Sequence, residues 1–186
     1  KATVAARDAI LFELLQQHRQ DLDSRSPKDF LDVLLLRQQA EGLSDREVML
    51  IAWEFITAGT DTTSATMHWM TLLLANHPHV QRKAWEEIDG LTGGRPVKLE
   101  DQASLPYTDA VMKETMRWMP VVPLMVPYQA SDDVTVVSGG REYKIKAGTQ
   151  VLVNGFNMHR EPALWEDPDA FVPERFLEGP DSDLKL

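Results

Sequence analysis

Three groups of residues carry types and spacings that could do chemistry. The first is Gly59-Thr60-Asp61-Thr62-Thr63-Ser64, where a carboxylate sits between hydroxyls and close to a glycine. A carboxylate beside a small hydroxyl can hold a water and pass protons. The glycine would let a flat ligand approach the backbone, and the hydroxyls can bond to carbonyls one turn back and distort a helix. The same residues also fit a plain packing contact at Gly59 with Thr62 and Thr63 bonded locally. The second group is Glu114 and Arg117 at i, i+3, with Arg175 far downstream. Exposed, such a pair contributes well under about 1 kcal/mol. Buried, a carboxylate gripped by two guanidinium forks locks a fold, and Ala110, Val111 and Met112 point to a buried helix face. The third is the set His18, His68, His77, His79 and His159. No carboxylate stands at a recognisable ligand spacing from His77-Pro78-His79 and there is no His-Glu-x-x-His, so these read as surface histidines with no metal site. A phosphate-cradling glycine loop and a Gly-x-Ser-x-Gly elbow are missing, which removes support for kinase, dinucleotide-binding and hydrolase chemistry.

Composition narrows the chemistry further. The 186 residues include no cysteine, so disulfides, thiolate-bound zinc, iron–sulfur clusters and a thiol nucleophile are excluded. Nineteen basic against 29 acidic residues give a net charge of −10, which argues against nucleic acid as a partner. With 43% apolar and 26% charged residues the chain should fold around a core. No run of about eighteen apolar residues occurs, and the first residues lack a charged-then-apolar leader pattern, so a soluble chain without a membrane span is expected. The start at Lys1 and the polar run Glu178-Gly179-Pro180-Asp181-Ser182-Asp183 suggest a fragment.

Elements that would position these residues follow from periodicity and punctuation. Leu11, Leu14, Leu15 and His18 at i, i+3, i+4, i+7 predict an amphipathic helix to Asp23-Ser24, with Glu13, Gln17 and Arg19 outside. Ser26-Pro27 predicts the opening of a short helix with Phe30, Val33 and Leu34 inward, closed by Glu41-Gly42. Leu43-Ser44-Asp45-Arg46-Glu47-Val48 is a capping box with a hydrophobic staple, and the absence of proline before Pro78 predicts a helix running to about Ala75. Its centre, from Gly59 to Ser64, is made of poor helix formers. Pro78 opens a helix with Val80, Ala84, Ile88 and Leu91 on one side, ended by Gly93-Gly94. After a turn around Glu100–Leu105, Pro106 opens another through Trp118. Pro120, Pro123 and Pro127 then force extended backbone. Thr135–Val137 and Glu142–Ile145 read as a hairpin around Ser138-Gly139-Gly140, and Gln150–Val153 as a third strand. Pro162, Pro168 and Pro173 among Trp165, Phe171 and Phe176 predict a meander with buried aromatics. The fold class expected is mainly α with a small β element. Residues 1–119 form its helical part and residues 120–186 the β element and meander, together one partial domain.

Taken in order, these motifs resemble the cytochrome P-450 family of heme-thiolate monooxygenases. Ala58-Gly59-Thr60-Asp61-Thr62-Thr63 is similar to the oxygen-activation motif on that family's long helix, and Lys113-Glu114-Thr115-Met116-Arg117 to its Glu-x-x-Arg helix. Phe171-Val172-Pro173-Glu174-Arg175-Phe176 is similar to its Pro-Glu-Arg-Phe segment. Gly148-Thr149, His159-Arg160-Glu161-Pro162 and Trp165-Glu166-Asp167-Pro168 also follow the family pattern, so the resemblance covers about Pro27 to Leu177. It implies a partial fold of that family and a heme cofactor approached by Ala58 and Gly59. It further implies proton relay by Asp61 and Thr62, and an apolar substrate against Val122, Leu124, Met125 and Val126. Glu114, Arg117 and Arg175 take the structural role. Implied partners are dioxygen and a redox donor such as an NADPH-dependent reductase, with the endoplasmic reticulum membrane as the setting of an anchored eukaryotic member. Tyr128 stands where many members place a basic residue for a heme propionate. The family's proximal ligand is a cysteine, and none is present, so these residues alone are not expected to ligate heme tightly or to catalyse. The contrasting expectation is a heme-free pseudoenzyme or helical interaction module.

Overall fold

The computed structural model describes residues 2–22 and 26–177. The chain is mainly helical with small sheets and forms two compact units, Lys1–Thr63 and Ser64–Leu186, divided inside one long helix.

In the first unit, α1 spans Ala2–Leu22 and α2 spans Phe30–Glu41, and α3 begins at Asp45 and continues to Asn76. The expected end of α1 at Asp23-Ser24 lies outside the described residues, as does the polar run from Glu178. Helix α2 opens three residues later than the Ser26-Pro27 signal predicts, because Asp29 is the cap: its carboxylate accepts the Asp32 N–H at 3.1 Å. Gly42 closes it in the left-handed region, φ 67°, donating its N–H to the Gln38 carbonyl. Ser44 and Glu47 make the reciprocal capping box: the Ser44 N–H donates to Glu47 Oε2 at 2.8 Å and the Glu47 N–H to Ser44 Oγ at 3.3 Å.

Leu15, Leu35 and Val48 form the core of this unit, with Leu22, Leu31, Leu34, Leu43 and Met49 against them. Phe30 and Val33 are exposed, contrary to expectation, while Leu34 packs against the core as expected and Asp32 and Leu35 are buried. Phe30 packs on Phe55 of α3 with ring centroids 4.2 Å apart. Leu14 is also exposed. Arg19 is not a solvated flank: it reaches Asp45 at 2.7 Å and Gln38 at 3.0 Å. The bonds from Arg19 and Gln38 hold the Asp45 carboxyl below its ordinary range.

In the second unit the end of α3 is followed by α4 (Pro78–Thr92), a 3₁₀ turn (Leu99–Ser104) and α5 (Pro106–Trp118). Pro78 and Pro106 sit in the first turns of their helices, where a missing N–H costs nothing. Glu87 of α4 supplies what Pro106 leaves open, accepting the Tyr107 and Thr108 N–H groups at 2.8 Å each. Leu73, Val80, Ala84, Tyr107, Val111 and Phe171 form one core, and Ala110, Trp165 and Phe176 a second. Leu91 is exposed while its neighbour Thr92 is buried, since Gly93 turns the chain there with φ 57°. Lys83 bonds Glu174 at 2.7 Å, tying α4 to the tail, and burial with the Glu174 charge pushes the Tyr107 phenol up to about 12.

Strands β2 (Val134–Ser138) and β3 (Arg141–Ile145) form the expected antiparallel hairpin. The third strand is shorter than predicted, β4 (Gln150–Val151), and pairs with β1 (Tyr128–Gln129) and not with the hairpin. Pro127 holds the chain extended just before β1, and a two-residue partner leaves no ladder for Leu152 and Val153. A short α6 (Gly155–Met158) and a 3₁₀ turn (Pro173–Phe176) complete the described chain. Among the described residues, no helix is long and apolar enough to cross a membrane.

Candidate functional site

Helix α3 runs unbroken through its weak centre. The expected distortion is not seen: Thr62 Oγ donates to the Ala58 carbonyl at 2.7 Å while the α-helical ladder continues, as Thr71 does to Met67 at 2.8 Å. Ala58, Gly59, Asp61 and Thr62 are all exposed. A Cβ built at Gly59 would meet nothing within 4 Å among the described residues. Gly59 is therefore not a site of close helix packing in this fold. Over 32 residues, about 48 Å of helix, the least helix-favouring stretch is also uncovered.

Val122, Leu124, Met125 and Val126 are exposed as well. Their path is fixed by the second unit. Met125 lies at φ 54°, a left-handed conformation that costs on the order of 1 kcal/mol for a side chain of this kind. Its N–H reaches the Val122 carbonyl at 3.0 Å, and Phe156 of α6 donates to the Pro123 carbonyl at 3.0 Å. The Met125 methyl would lie 2.7 Å from a Cβ at position 155, so glycine there lets the methionine seat against α6. Tyr128 is exposed in β1 opposite Val151.

Glu114, Arg117 and Arg175 come together in a buried knot. Glu114 and Arg117 have no side-chain exposure and Arg175 has 11%. All five guanidinium N–H groups of Arg117 are used. Nε and Nη2 grip Glu114 at 2.7 and 2.9 Å, Nη1 donates to the His159 and Pro168 carbonyls at 2.7 and 2.8 Å, and Nη2 to Ala170 at 3.0 Å. Glu114 also accepts from Arg175 Nε at 3.2 Å and from the Val172 N–H at 2.8 Å. One carboxylate and one guanidinium thereby fasten α5 to the meander that ends in Arg175. Trp165 lies under the Arg117 guanidinium at 5.2 Å. The carbonyl partners were not legible in the sequence, since any residue type supplies a carbonyl.

Three histidines depart from the surface reading. His18 Nδ1 lies 2.8 Å from Asp32 Oδ1 and 3.7 Å from Asp29 Oδ1, and the three potential ligand atoms lie within 4.8 Å of one another. The eleven- and fourteen-residue separations that bring them together follow no recognisable ligand spacing. His77 Nδ1 faces the Leu73 carbonyl at 2.8 Å. His159 is half-buried, and burial, then Arg117 and Arg160, hold its imidazole below the ordinary histidine range. His159 Nδ1 and Arg160 Nη1 are buried with no hydrogen-bond partner among the described residues. His68 and His79 are exposed.

A helical fold with small sheets, an acid–hydroxyl pair beside a bare glycine on a long helix, and a buried Glu–Arg–Arg knot define a class that the comparisons with known proteins make specific. The family model described as Cytochrome P450 matches residues 1–183. Cytochrome P450 2U1 of Mus musculus is 39% identical over 183 residues, 94% of this chain and 34% of that protein. The steroid 17-alpha-hydroxylase/17,20 lyase of Oryzias latipes is 32% identical, over the whole of this chain and 38% of its own. A zebra fish cytochrome P450 structure with abiraterone superposes with a TM-score of 0.83 at 38% identity, covering 95% of this chain and 43% of that one. The chain belongs to the cytochrome P450 family. It spans about a third of the length of the curated relatives it matches.

That family implies a heme. The open backbone at Gly59, with the Thr62 hydroxyl turned back onto Ala58, suits a flat group lying along α3. The sequence offers no thiolate for the opposite side of the iron. The exposed Ala58–Gly59 surface thus leaves room for such a group, and no residue of this sequence offers it a thiolate.

Proposed function

We propose that this chain carries the proton-delivery helix and part of the substrate-facing surface of a heme-dependent monooxygenase that inserts one atom of dioxygen into an apolar organic substrate. The observation that carries this reading is the uncovered Ala58–Thr62 segment on an unbroken helix. Gly59 costs up to about 1 kcal/mol relative to alanine in a helix interior. Among the described residues nothing packs in the space its missing side chain leaves, so no packing contact there accounts for the glycine.

Heme, when bound, would supply the iron chemistry for activating dioxygen, with the electrons coming from the redox donor. The chain's own residues supply the rest. The exposed Asp61 carboxylate exchanges protons with solvent, and the Thr62 hydroxyl holds a water that receives them. Ala58 and Gly59 keep the helix surface flat enough for close approach. Val122, Leu124, Met125 and Val126 offer apolar surface to the substrate, on a path held by α6. Glu114, Arg117 and Arg175 touch no reactant and hold the meander. In this reading residues 1–119 and 120–186 are parts of one catalytic domain. The partners are an apolar small molecule, dioxygen and a redox donor such as an NADPH-dependent reductase, at the endoplasmic reticulum membrane if the protein is an anchored eukaryotic member.

The test is turnover under isotopically labelled dioxygen by a full-length protein that joins these residues to a cysteine ligand. One labelled oxygen in the product and the other in water is the expected result. Product oxygen drawn from solvent, or no oxidation at full heme occupancy, would overturn the reading.

A further inference from the structure

The first unit contains a cavity of about 320 Å³ between α1, α2 and α3, and Ala58, Asp61 and Thr62 take no part in lining it. Its walls are apolar: Leu11 and Leu14 from α1, Phe30 from α2, and Ala52, Phe55 and Ile56 from α3 supply most of the surface. Among the described lining residues the polar ones are His18 and Asp29, and Asp32 lies behind them. Volume, apolar walls and a few convergent polar atoms are the features of a small-molecule site.

Charge decides what kind of molecule suits it. Two carboxylates face one imidazole. Asp32 is fully buried and committed, accepting from the Lys28 N–H at 2.8 Å and facing His18 Nδ1 at 2.8 Å. Asp29 is half exposed, and one of its oxygens caps α2. Its other oxygen accepts no hydrogen bond from the described residues. Even with His18 protonated, the pair of carboxylates leaves a negative charge at the mouth of an apolar chamber. An anion is repelled there, and a neutral molecule offers the carboxylate no opposite charge.

We propose that this cavity binds a small apolar molecule ending in a protonated amine, with the amine on Asp29 and the apolar body among Leu14, Phe30, Phe55 and Ile56. A charge-assisted hydrogen bond to a half-exposed carboxylate distinguishes amine from alcohol by about tenfold in affinity.

The experiment is calorimetric titration of the 186-residue chain with 4-phenylbutylamine, 4-phenylbutanol and 4-phenylbutyrate. The amine should bind saturably, about tenfold tighter than the alcohol, and the carboxylate should not bind. Asp29→Asn keeps an N-cap acceptor for α2, so helical content is retained while the preference for the amine disappears. Ile56→Trp, at an exposed position, fills the chamber and should abolish binding of both amine and alcohol. Three outcomes would overturn the proposal: equal affinity for amine and alcohol in the unsubstituted chain, binding indifferent to Ile56→Trp, or saturable binding of zinc or manganese that amine does not displace. The last would assign His18, Asp29 and Asp32 to a divalent cation.

Discussion

The knot around Arg117 and the centre of α3 are both built from charged and hydroxyl residues, yet they are opposite in kind. In the knot every N–H of the Arg117 guanidinium has an acceptor, two of them on Glu114 and three on carbonyls from residues 159–170, and these two side chains are fully buried. At the centre of α3 the side chains are exposed, and the hydrogen bond described for Thr62 stays within the helix. The first arrangement spends polar chemistry on holding a chain path, where a missing partner leaves an uncompensated buried charge. The second leaves a carboxylate and hydroxyls exposed beside a glycine against which nothing packs among the described residues. Arg117, which holds the chain path, is saturated, whereas Asp61 and Thr62 are not enclosed.

The largest effect expected from this contrast is that of Glu114→Ala. It strands the Arg117 guanidinium in the interior and removes the acceptor of Arg175 and of the Val172 N–H, a loss of about 3–5 kcal/mol. Denaturant unfolding of the 186-residue chain should show it, and a variant with an unchanged midpoint would break the contrast from the structural side. A smaller change of opposite sign is expected for Gly59→Ala. With helical backbone and open space around the new methyl group, it should stabilise the chain by about 0.5–1 kcal/mol, read from the same titration. Destabilisation would mean that Gly59 answers a packing need.

The smallest effect concerns pH. His159 has its folded-state affinity for protons depressed by burial and by Arg117 and Arg160. Below the ordinary histidine range the unfolded chain binds the proton that the folded chain refuses, so stability falls as pH drops through about 6.5 toward the depressed value. His159→Asn should flatten that part of the stability–pH curve, measured by unfolding between pH 7.5 and 5.5. An unaltered curve would mean that His159 does not carry this part of it.

Much of this architecture was legible in the sequence where punctuation was unambiguous. Pro78, Pro106 and the prolines after Trp118 bounded α4 and α5, and Ser44 with Glu47 marked the start of α3. Where two caps competed the reading failed: Ser26-Pro27 and Asp29 are both good openings, and only the carboxylate bonded to the Asp32 N–H shows which one acts. Of the face expected inward, Leu34 packs against the core while Phe30 and Val33 are exposed and Asp32 and Leu35 are buried. Pairing of β4 with β1 was hidden since two-residue strands carry no periodicity. At the candidate site, residue types identified Glu114, Arg117 and Arg175 and the acid–hydroxyl pair. The carbonyls around Arg117 and the His18–Asp29–Asp32 cluster were invisible, the former having no side-chain signature and the latter joining two helices.

In the proposed function Thr62 serves chemistry and not the fold. Its most direct test is the hydrogen peroxide released per reductant consumed by Thr62→Ala, in a heme-loaded full-length protein that carries these residues with a cysteine ligand. Loss of the hydroxyl removes the group that holds the proton-bearing water, so reductant consumption should continue while substrate oxidation falls by about 10- to 100-fold and peroxide rises in its place. Unchanged coupling at full heme occupancy would contradict the claim.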